Sequence, residues 1–255
     1  MNVWELLAVF AAGVSAGTIN TIVGSGTLIT FPVLLATGLP PVTATVSNAL
    51  GLIPGSISGA IGYRRELAGQ GRRVLKLAVG ALIGGLTGAT LLLALPSTAF
   101  ETIVPILVAL ALVLVILQPR ISKAVQRRRA QTGAPARHDG GPLLFLSLML
   151  ASVYGGYFTA AQGIIYLSLM GMLLDDTMQR LNAVKNVLAA VVNSIAALFF
   201  LFVADFDWTA VGLIAVGSAL GGQIGATVGR RLSPAVLRAL IVAVGTVAIV
   251  QLLLR

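Results

Sequence analysis

The sequence predicts an all-α protein that crosses a membrane several times. Of its 255 residues, 57% are hydrophobic and only 10% are charged, and the mean hydropathy is +0.99. A soluble domain has about a quarter of its residues charged, whereas a helix that crosses a ~30 Å hydrocarbon core needs roughly 20 apolar residues. Uncharged stretches of that kind fill nearly the whole chain, so little is left for a soluble catalytic domain.

Ten apolar segments follow one another along the chain, and two of them, 27–37 and 163–174, are too short to span at about 1.5 Å per residue. Each short segment follows a longer one after a break that contains glycine. Glycine costs roughly 1 kcal/mol against alanine inside a helix, so we expect the backbone to leave helical geometry there. The ten segments are 3–23, 27–37, 43–62, 74–95, 100–118, 142–159, 163–174, 178–203, 208–229 and 234–254.

An internal repeat divides the chain into two halves. Residues 80–90 and 217–227 share every glycine and an Ala-Thr pair at the same spacing, and at nearly the same offset 44–48 faces 182–186, with a valine and an asparagine in common. Helix packing through small residues also produces glycine periodicity, but it does not require the shared order of motifs. The sequence therefore predicts repeats at 1–118 and 142–255, joined by a linker at 119–141.

The basic residues are concentrated in two short loops, 64–76 and 120–139. The positive-inside rule places such loops in the cytoplasm, which accounts for the net charge of +9 without a nucleic-acid partner. Binding of anionic lipid headgroups by the basic run 127–129 stays open. We expect the linker to be cytoplasmic and the lipid bilayer to be the main partner.

Equivalent loops of the two halves have opposite charge. The second-half segment that corresponds to 64–76 contains Asp205 and Asp207 and no basic residue, whereas Arg230 and Arg231 correspond to uncharged residues. This pattern predicts two inverted repeats, each a broken helical hairpin followed by about three transmembrane helices. The rival topology has eight ordinary crossings, with the two aspartates in the cytoplasm and the two arginines outside.

Lys185 is a charged residue inside the segment 178–203, where insertion costs about 2.5–3.5 kcal/mol. Asn182, Lys185 and Asn186 share one face at helical spacing. The segment contains no carboxylate, so an anion is a reasonable partner for the ammonium. The alternatives are that Lys185 snorkels to the headgroups or pairs with Asp176, and that the asparagines only join helices.

The two short segments predict a second part of the same site. As half-helices they would place unpaired N–H groups and the positive end of the helix dipole inside the membrane, where an anion binds. The alternative is that their glycines only permit close helix packing. Tyr154 and Tyr157 would gate the site or anchor at the interface. The predicted substrate-binding residues are Asn20, Thr21, Gly24, Ser25, Gly26, Asn48, Tyr154, Gln162, Gly163, Asn182, Lys185 and Asn186.

Six motifs carry a resemblance to a known family. They are the stretch 17–26 (GTINTIVGSG), Phe31-Pro32, 37–41 (TGLPP), Ser47-Asn48, 154–157 (YGGY) and 182–186 (NAVKN). In this order, over both halves, the sequence resembles the TauE/SafE sulfite exporter family. The resemblance implies a transporter of the bacterial inner membrane for small sulfur-containing anions such as sulfite, sulfonates or thiosulfate. It leaves the particular anion open, because 158–163 departs from the glycine-rich turn often found there.

Several other functions fit the sequence less well. With no cysteine and a single histidine, His138, in a polar loop, we expect no metal and no cofactor. An intramembrane enzyme would need a clustered acid, base and nucleophile, whereas the spans contain scarcely a titratable group besides Lys185 and Glu5. A passive anion channel or facilitator stays open, as do coupling to protons or sodium and a homodimer through the glycine-rich helix faces.

Overall fold

The computed structural model describes residues 1–132 and 140–228, together with residues 239, 242, 243 and 246. Apart from those four positions, the predicted segment 234–254 lies outside the described residues, as do His138, Arg230 and Arg231. The described residues form helices joined by short turns. These helices are α1 (Val3–Ile22), α2 (Thr27–Ala36), α3 (Pro41–Gly51), α4 (Ile53–Gly62), α5 (Gly71–Ala94), α6 (Ser97–Thr132), α7 (Gly141–Phe158), α8 (Gln162–Leu173), α9 (Met178–Phe200) and α10 (Trp208–Val228).

Within the described part of the chain, five helices are long and apolar enough to cross a membrane, namely α1, α5, α7, α9 and α10. The short helices α2 and α8 lie where the sequence predicts short segments. Helix α6 continues to Thr132, so helical structure extends into the basic linker. The described part of the chain is therefore all-helical, with the long apolar helices expected of an integral membrane protein.

The predicted segment 43–62 is two helices, because the chain kinks at Leu52. Pro54 lies in the first turn of α4. It has no amide hydrogen to donate, and its ring would clash with the carbonyl four residues earlier if the helix continued unbroken. The register against α10 nevertheless continues through the kink, since Gly51 packs on Ile214 and Gly55 on Ser218. Helices α3 and α4 thus form one bent rod along α10.

One tight turn joins α1 to α2 and another joins α7 to α8. At the first turn Gly24 has a φ of +88°, and Gly26 lies against Ala16 of α1. At the second turn the positive φ angles belong to Thr159 (53°) and Ala161 (57°), which is uncommon for residues that carry a Cβ. The predicted break at 159–163 is therefore confirmed, although its positive φ angles belong to Thr159 and Ala161 and Gly163 already lies inside α8.

The glycine-rich faces join one half of the chain to the other. Gly80, Gly84 and Gly88 of α5 pack on successive turns of α7, and Gly217, Gly221 and Gly225 of α10 pack on successive turns of α1. Contacts advance in the same direction along both members of each pair, so α5 is parallel to α7 and α10 to α1. Helix α4 also runs parallel to α10, since Gly62 reaches Ala226.

Candidate functional site

The two tight turns meet inside the helical bundle. The amide of Gly163 donates a hydrogen bond of 3.1 Å to the carbonyl of Gly24. A Cβ added to either glycine would overlap the Cα atom of the other. Only glycine at both positions therefore allows the two halves of the chain to touch here through their backbones.

Lys185 lies beside this contact and is only 1% exposed. Its Nζ atom donates to the carbonyls of Asn20 (2.7 Å) and Thr21 (3.1 Å), close to the C-terminal end of α1, where the helix dipole is negative. Lys185 therefore does not snorkel to the surface. An ammonium has three donors, and the third has no partner among the described residues.

Asp176 is not the partner of Lys185, so that alternative is wrong. Its carboxylate binds Arg73 and Arg180, each at 2.7 Å. Burial acts to raise the pKa of Asp176, but the hydrogen bond from Arg73, with further help from Thr177 and Arg180, outweighs it and lowers the pKa below its ordinary value. Asp176 lies in the connection before α9, outside the spanning segments, whereas Arg73 and Arg180 lie in the first turns of α5 and α9.

Two asparagines of α9 complete the polar face around Lys185. The side-chain amides of Asn182 (2.9 Å) and Asn186 (3.5 Å) both donate to the carbonyl of Thr21. This carbonyl thus accepts from three side chains of α9. The C-terminal end of α1 is thereby fixed to the second half of the chain.

Two buried polar atoms beside this face have no hydrogen-bond partner in the described part of the chain, namely Ser25 Oγ and Asn182 Oδ1. Buried polar groups nearly always find a partner in protein, water or ligand. Ser25 directly follows Gly24, and Asn182 is one turn before Lys185. These atoms are available to a polar ligand that enters the site.

Asn48 holds the half-helix α2 against α3. Its side chain accepts from the hydroxyl of Thr30 and donates to that of Thr27 at 3.2 Å. Hydrogen bonding in the first turn of α2 begins with the Leu28 amide, which donates to the carbonyl of Ser25, and Gly26 provides no side-chain cap. The amides before Leu28 are therefore available to a ligand.

The first turn of α8 differs from that of α2. Gly163 donates to Gly24, and the amides of Ile164 and Ile165 both donate to the carbonyl of Ala161. The predicted unpaired amide at Gly163 is therefore wrong. The half-helix dipole remains, but its first amides are already used within the protein.

Gln162 and Tyr154 belong to hydrogen-bond networks of their own. Gln162 donates to the hydroxyl of Tyr166, which also bonds Ser152, both at 2.6 Å. The hydroxyl of Tyr154 donates to the carbonyl of Ala160 at 2.6 Å and so closes the strained turn. The sequence does not predict this role of Tyr166, since an aromatic side chain in an apolar segment ordinarily only packs against its neighbours.

The structure thus brings some of the predicted residues together and leaves others apart. Asn48, Tyr154 and Gln162 brace the two hairpins from outside the central contact, and no cluster of potential metal ligands occurs among the described residues. Ser25 and Gly26 adjoin the centre along the chain. The residues that meet directly are Asn20, Thr21, Gly24, Gly163, Asn182, Lys185 and Asn186.

Apolar helices long enough to span a membrane, two helical hairpins in contact and a buried cation are typical of a polytopic membrane transporter, and comparison with known sequences agrees. A sequence model described as sulfite exporter TauE/SafE matches residues 9–252. The chain therefore belongs to the TauE/SafE sulfite exporter family. No solved structure matches it.

Curated relatives of the chain are all described as probable transporters. The probable membrane transporter protein YfcA of Escherichia coli K12 is 27% identical over 96% of this chain and 88% of its own length. The probable membrane transporter protein ORF9 of a Sinorhizobium species is 28% identical over 98% and 93%. A probable membrane transporter protein of Haemophilus influenzae is 26% identical over 87% and 84%.

Proposed function

We propose that this transporter carries small anions of the sulfite, sulfonate or thiosulfate class, bound where the two hairpins meet. The observation that carries the proposal is the Lys185 ammonium, which is buried beside Gly24 and Gly163 and bonds only neutral groups in the described part of the chain. A buried charge without a counter-ion is costly. An anion at this place would neutralise it, and the family's sulfite description favours a sulfur oxyanion.

The donors around Lys185 suit an anion with three acceptor oxygens. The third N–H of the ammonium, the hydroxyl of Ser25 and the amides ahead of Leu28 are available, and α2 adds the positive end of its dipole. Without the anion, the carbonyls of Asn20 and Thr21 solvate the ammonium. With it, we expect Lys185 to turn its third donor to the ligand and to keep at least one carbonyl.

We further infer that the two halves are inverted repeats. Helices α10, α1 and α4 run parallel, and α5 starts at the end of the bundle where α4 ends, since only the short connection 63–70 separates them. Helix α5 would then oppose α10, its counterpart in the repeat, and α7 would oppose α1. Inverted repeats move a central site from one face to the other by rocking of one half against the other.

The positions of the charges support a cytoplasmic basic end and an inner-membrane location. Arg180 at the start of α9 donates to the carbonyl of Ala68, so the start of α9 lies at the end of the bundle that carries the 64–76 loop. The contact of Gly62 with Ala226 places the end of α10 there too. Asp205 lies in the connection from α9 to α10, at the other end. The positive-inside rule then assigns the basic end and the linker 119–141 to the cytoplasm.

A passive facilitator is the second candidate function, since no carboxylate contacts Lys185 within the described residues and proton relays in membranes generally use carboxyl groups. An inside-negative potential drives an anion outward, so uniport would suffice for export. Flux measured in proteoliposomes with imposed proton, sodium or potential gradients separates the mechanisms. Flux that follows the potential alone supports the facilitator, and flux that requires one ion gradient identifies the coupling ion.

Isothermal titration of the purified protein tests the site. Sulfite, sulfoacetate, taurine, thiosulfate and sulfate are titrated into the wild type, Lys185→Met and Lys185→Ala, with Lys76→Met as a control that removes an exposed lysine. We expect saturable binding of one sulfur anion by the wild type and the control, and at least a tenfold loss in both Lys185 variants, about 1.4 kcal/mol. Binding that ignores Lys185, or no binding at all, would contradict the proposed site.

A further inference from the structure

An apolar groove runs along the outside of the bundle, away from the proposed anion site. It lies between α4 and α9, with Leu82 of α5 at one edge, and its volume is about 570 Å³. Ile57, Ile61 and Leu198, which line it, are each about half exposed. Apart from Ser194 and Arg64, every side chain along the groove is apolar.

The dimensions of the groove match one leaflet of a bilayer. Along α9 it extends from Val187 to Leu198, which at 1.5 Å per residue is about 16 Å. Half of a ~30 Å hydrocarbon core is about 15 Å. A single lipid acyl chain of about that length would therefore fit along the groove.

The charge of the groove is confined to one end. Arg64 is exposed just beyond the C-terminus of α4, and its Nη1 atom donates to the carbonyl of Ile61 at 3.3 Å, which holds the guanidinium over the groove. A guanidinium has five N–H donors, so several remain. No acidic residue lines the groove, and Arg65 adds a second exposed positive charge.

We propose that this groove binds one anionic phospholipid, with an acyl chain along α4 and α9 and its phosphate at Arg64. Basic pockets between helices at the cytoplasmic face bind anionic headgroups in this way. A second copy of the chain fits less well, because a two-fold axis normal to the membrane would bring two copies of Arg64 together. Since α4 belongs to the first half and α9 to the second, the lipid would bridge the two halves.

Native mass spectrometry of the protein from nanodiscs with equal phosphatidylglycerol and phosphatidylcholine tests the site. We expect the wild type to retain phosphatidylglycerol several-fold over phosphatidylcholine. Arg64→Gln should lower that retention to the phosphatidylcholine level, whereas Arg72→Gln, at an exposed basic residue outside the groove, should not. Ala190→Phe fills the groove and should remove the bound lipid, whereas Val79→Phe, on an exposed face of α5, should leave it bound.

Three results would overturn the proposal. Equal losses in Arg64→Gln and Arg72→Gln would mean that the basic surface attracts lipid without a defined site. Unchanged retention in Ala190→Phe would place the lipid outside the groove. A wild-type dimer that Ala190→Phe converts to a monomer, with no retained lipid in either, would mean that a second copy occupies it. Arg64→Gln alters an exposed side chain, so its result stands even where Ala190→Phe fails to fold.

Discussion

Gly24 and Gly38 have nearly the same backbone conformation in very different surroundings. Their φ angles are +88° and +86°, a region in which a residue with a Cβ pays about 1–2 kcal/mol. A Cβ on Gly24 would overlap the backbone of Gly163, whereas a Cβ on Gly38 meets no atom within 4 Å. The pair therefore separates backbone strain from close packing.

We predict that Gly38→Ala lowers stability only by this strain and that Gly24→Ala costs more. Overpacking adds about 1–3 kcal/mol in well-packed cores, and at Gly24 the neighbour is backbone, which moves reluctantly. The two unfolding temperatures, measured side by side in the same detergent, check this. Equal destabilisation of the two variants would mean that the hairpins do not touch at Gly24 and Gly163.

Lys185 illustrates what a sequence can say about a single residue. The absence of a carboxylate within its helix can be read from the sequence, but its burial cannot, because a lysine in an apolar segment can also snorkel to the headgroups. The carbonyl partners at Asn20 and Thr21 cannot be read from it either, since backbone groups are the same at every position. Which carbonyls are available depends on where α1 ends, and therefore on the turn at Gly24.

At the scale of helices, the ion cluster of Arg73, Asp176 and Arg180 ties α5 to the start of α9. The side chains of Arg73 and Asp176 are 8% and 11% exposed. Gln70 extends the cluster, because it accepts from Arg73 (2.9 Å) and donates to the carbonyl of Arg180 (3.4 Å). Removing one member of a buried ion pair costs about 3–5 kcal/mol, and less where water reaches the pair.

We predict that Asp176→Asn destabilises the protein by about 1–3 kcal/mol at neutral pH, below that fully buried limit. The folded-state pKa of Asp176 is lowered, so the cluster contributes fully above the unfolded carboxyl's pKa of about 3.9 and loses its contribution as the pH falls through the lower folded value. The gap between the unfolding temperatures of wild type and variant should therefore stay constant from pH 5 to pH 8 and narrow below about pH 4.

Asp175, the exposed carboxylate next to Asp176, supplies a control for the ion cluster. Asp175 is exposed and has no hydrogen bond or ion pair to a described residue, so Asp175→Asn should leave the unfolding temperature nearly unchanged. If Asp175→Asn lowers the unfolding temperature as much as Asp176→Asn does, general charge rather than the cluster stabilises this end of α9. The same conclusion follows if the difference between the unfolding temperatures of wild type and Asp176→Asn does not narrow in acid.

The helices also show which structural features can be predicted from the sequence and which cannot. Hydropathy located most helix boundaries, because a run of apolar residues long enough to span leaves few other structures open. Hydropathy treats 43–62 as one segment, because the apolar run continues through the kink at Leu52, and only Pro54 indicates a bend there. The break at 159–163 was predicted, but the positive φ angles at Thr159 and Ala161 were not, because residues with a Cβ seldom adopt them.

At the scale of the whole molecule, the most extensive helix packing joins a helix of one half to a helix of the other half. Helix α1 of the first half packs on α10 of the second, and α5 packs on α7. The repeated glycines predicted close packing, but a periodic pattern does not name the partner helix. Neither half could keep these glycine faces covered alone, so we expect the two halves to fold as one unit.

The proposed inversion of the halves would place the charged loops on defined sides of the membrane, and the absence of cysteine makes this simple to test. We predict that Arg72→Cys and Arg230→Cys react with a membrane-impermeant maleimide only after cells are permeabilised, and that Asp205→Cys reacts in intact cells. The reason is that α10 runs parallel to α4, so residues that follow α10 emerge at the basic end. Labelling of all three in lysed cells is the control for reactivity. Labelling of Arg230→Cys but not Asp205→Cys in intact cells would instead indicate eight ordinary crossings, and labelling of all three variants from one side would exclude inverted halves.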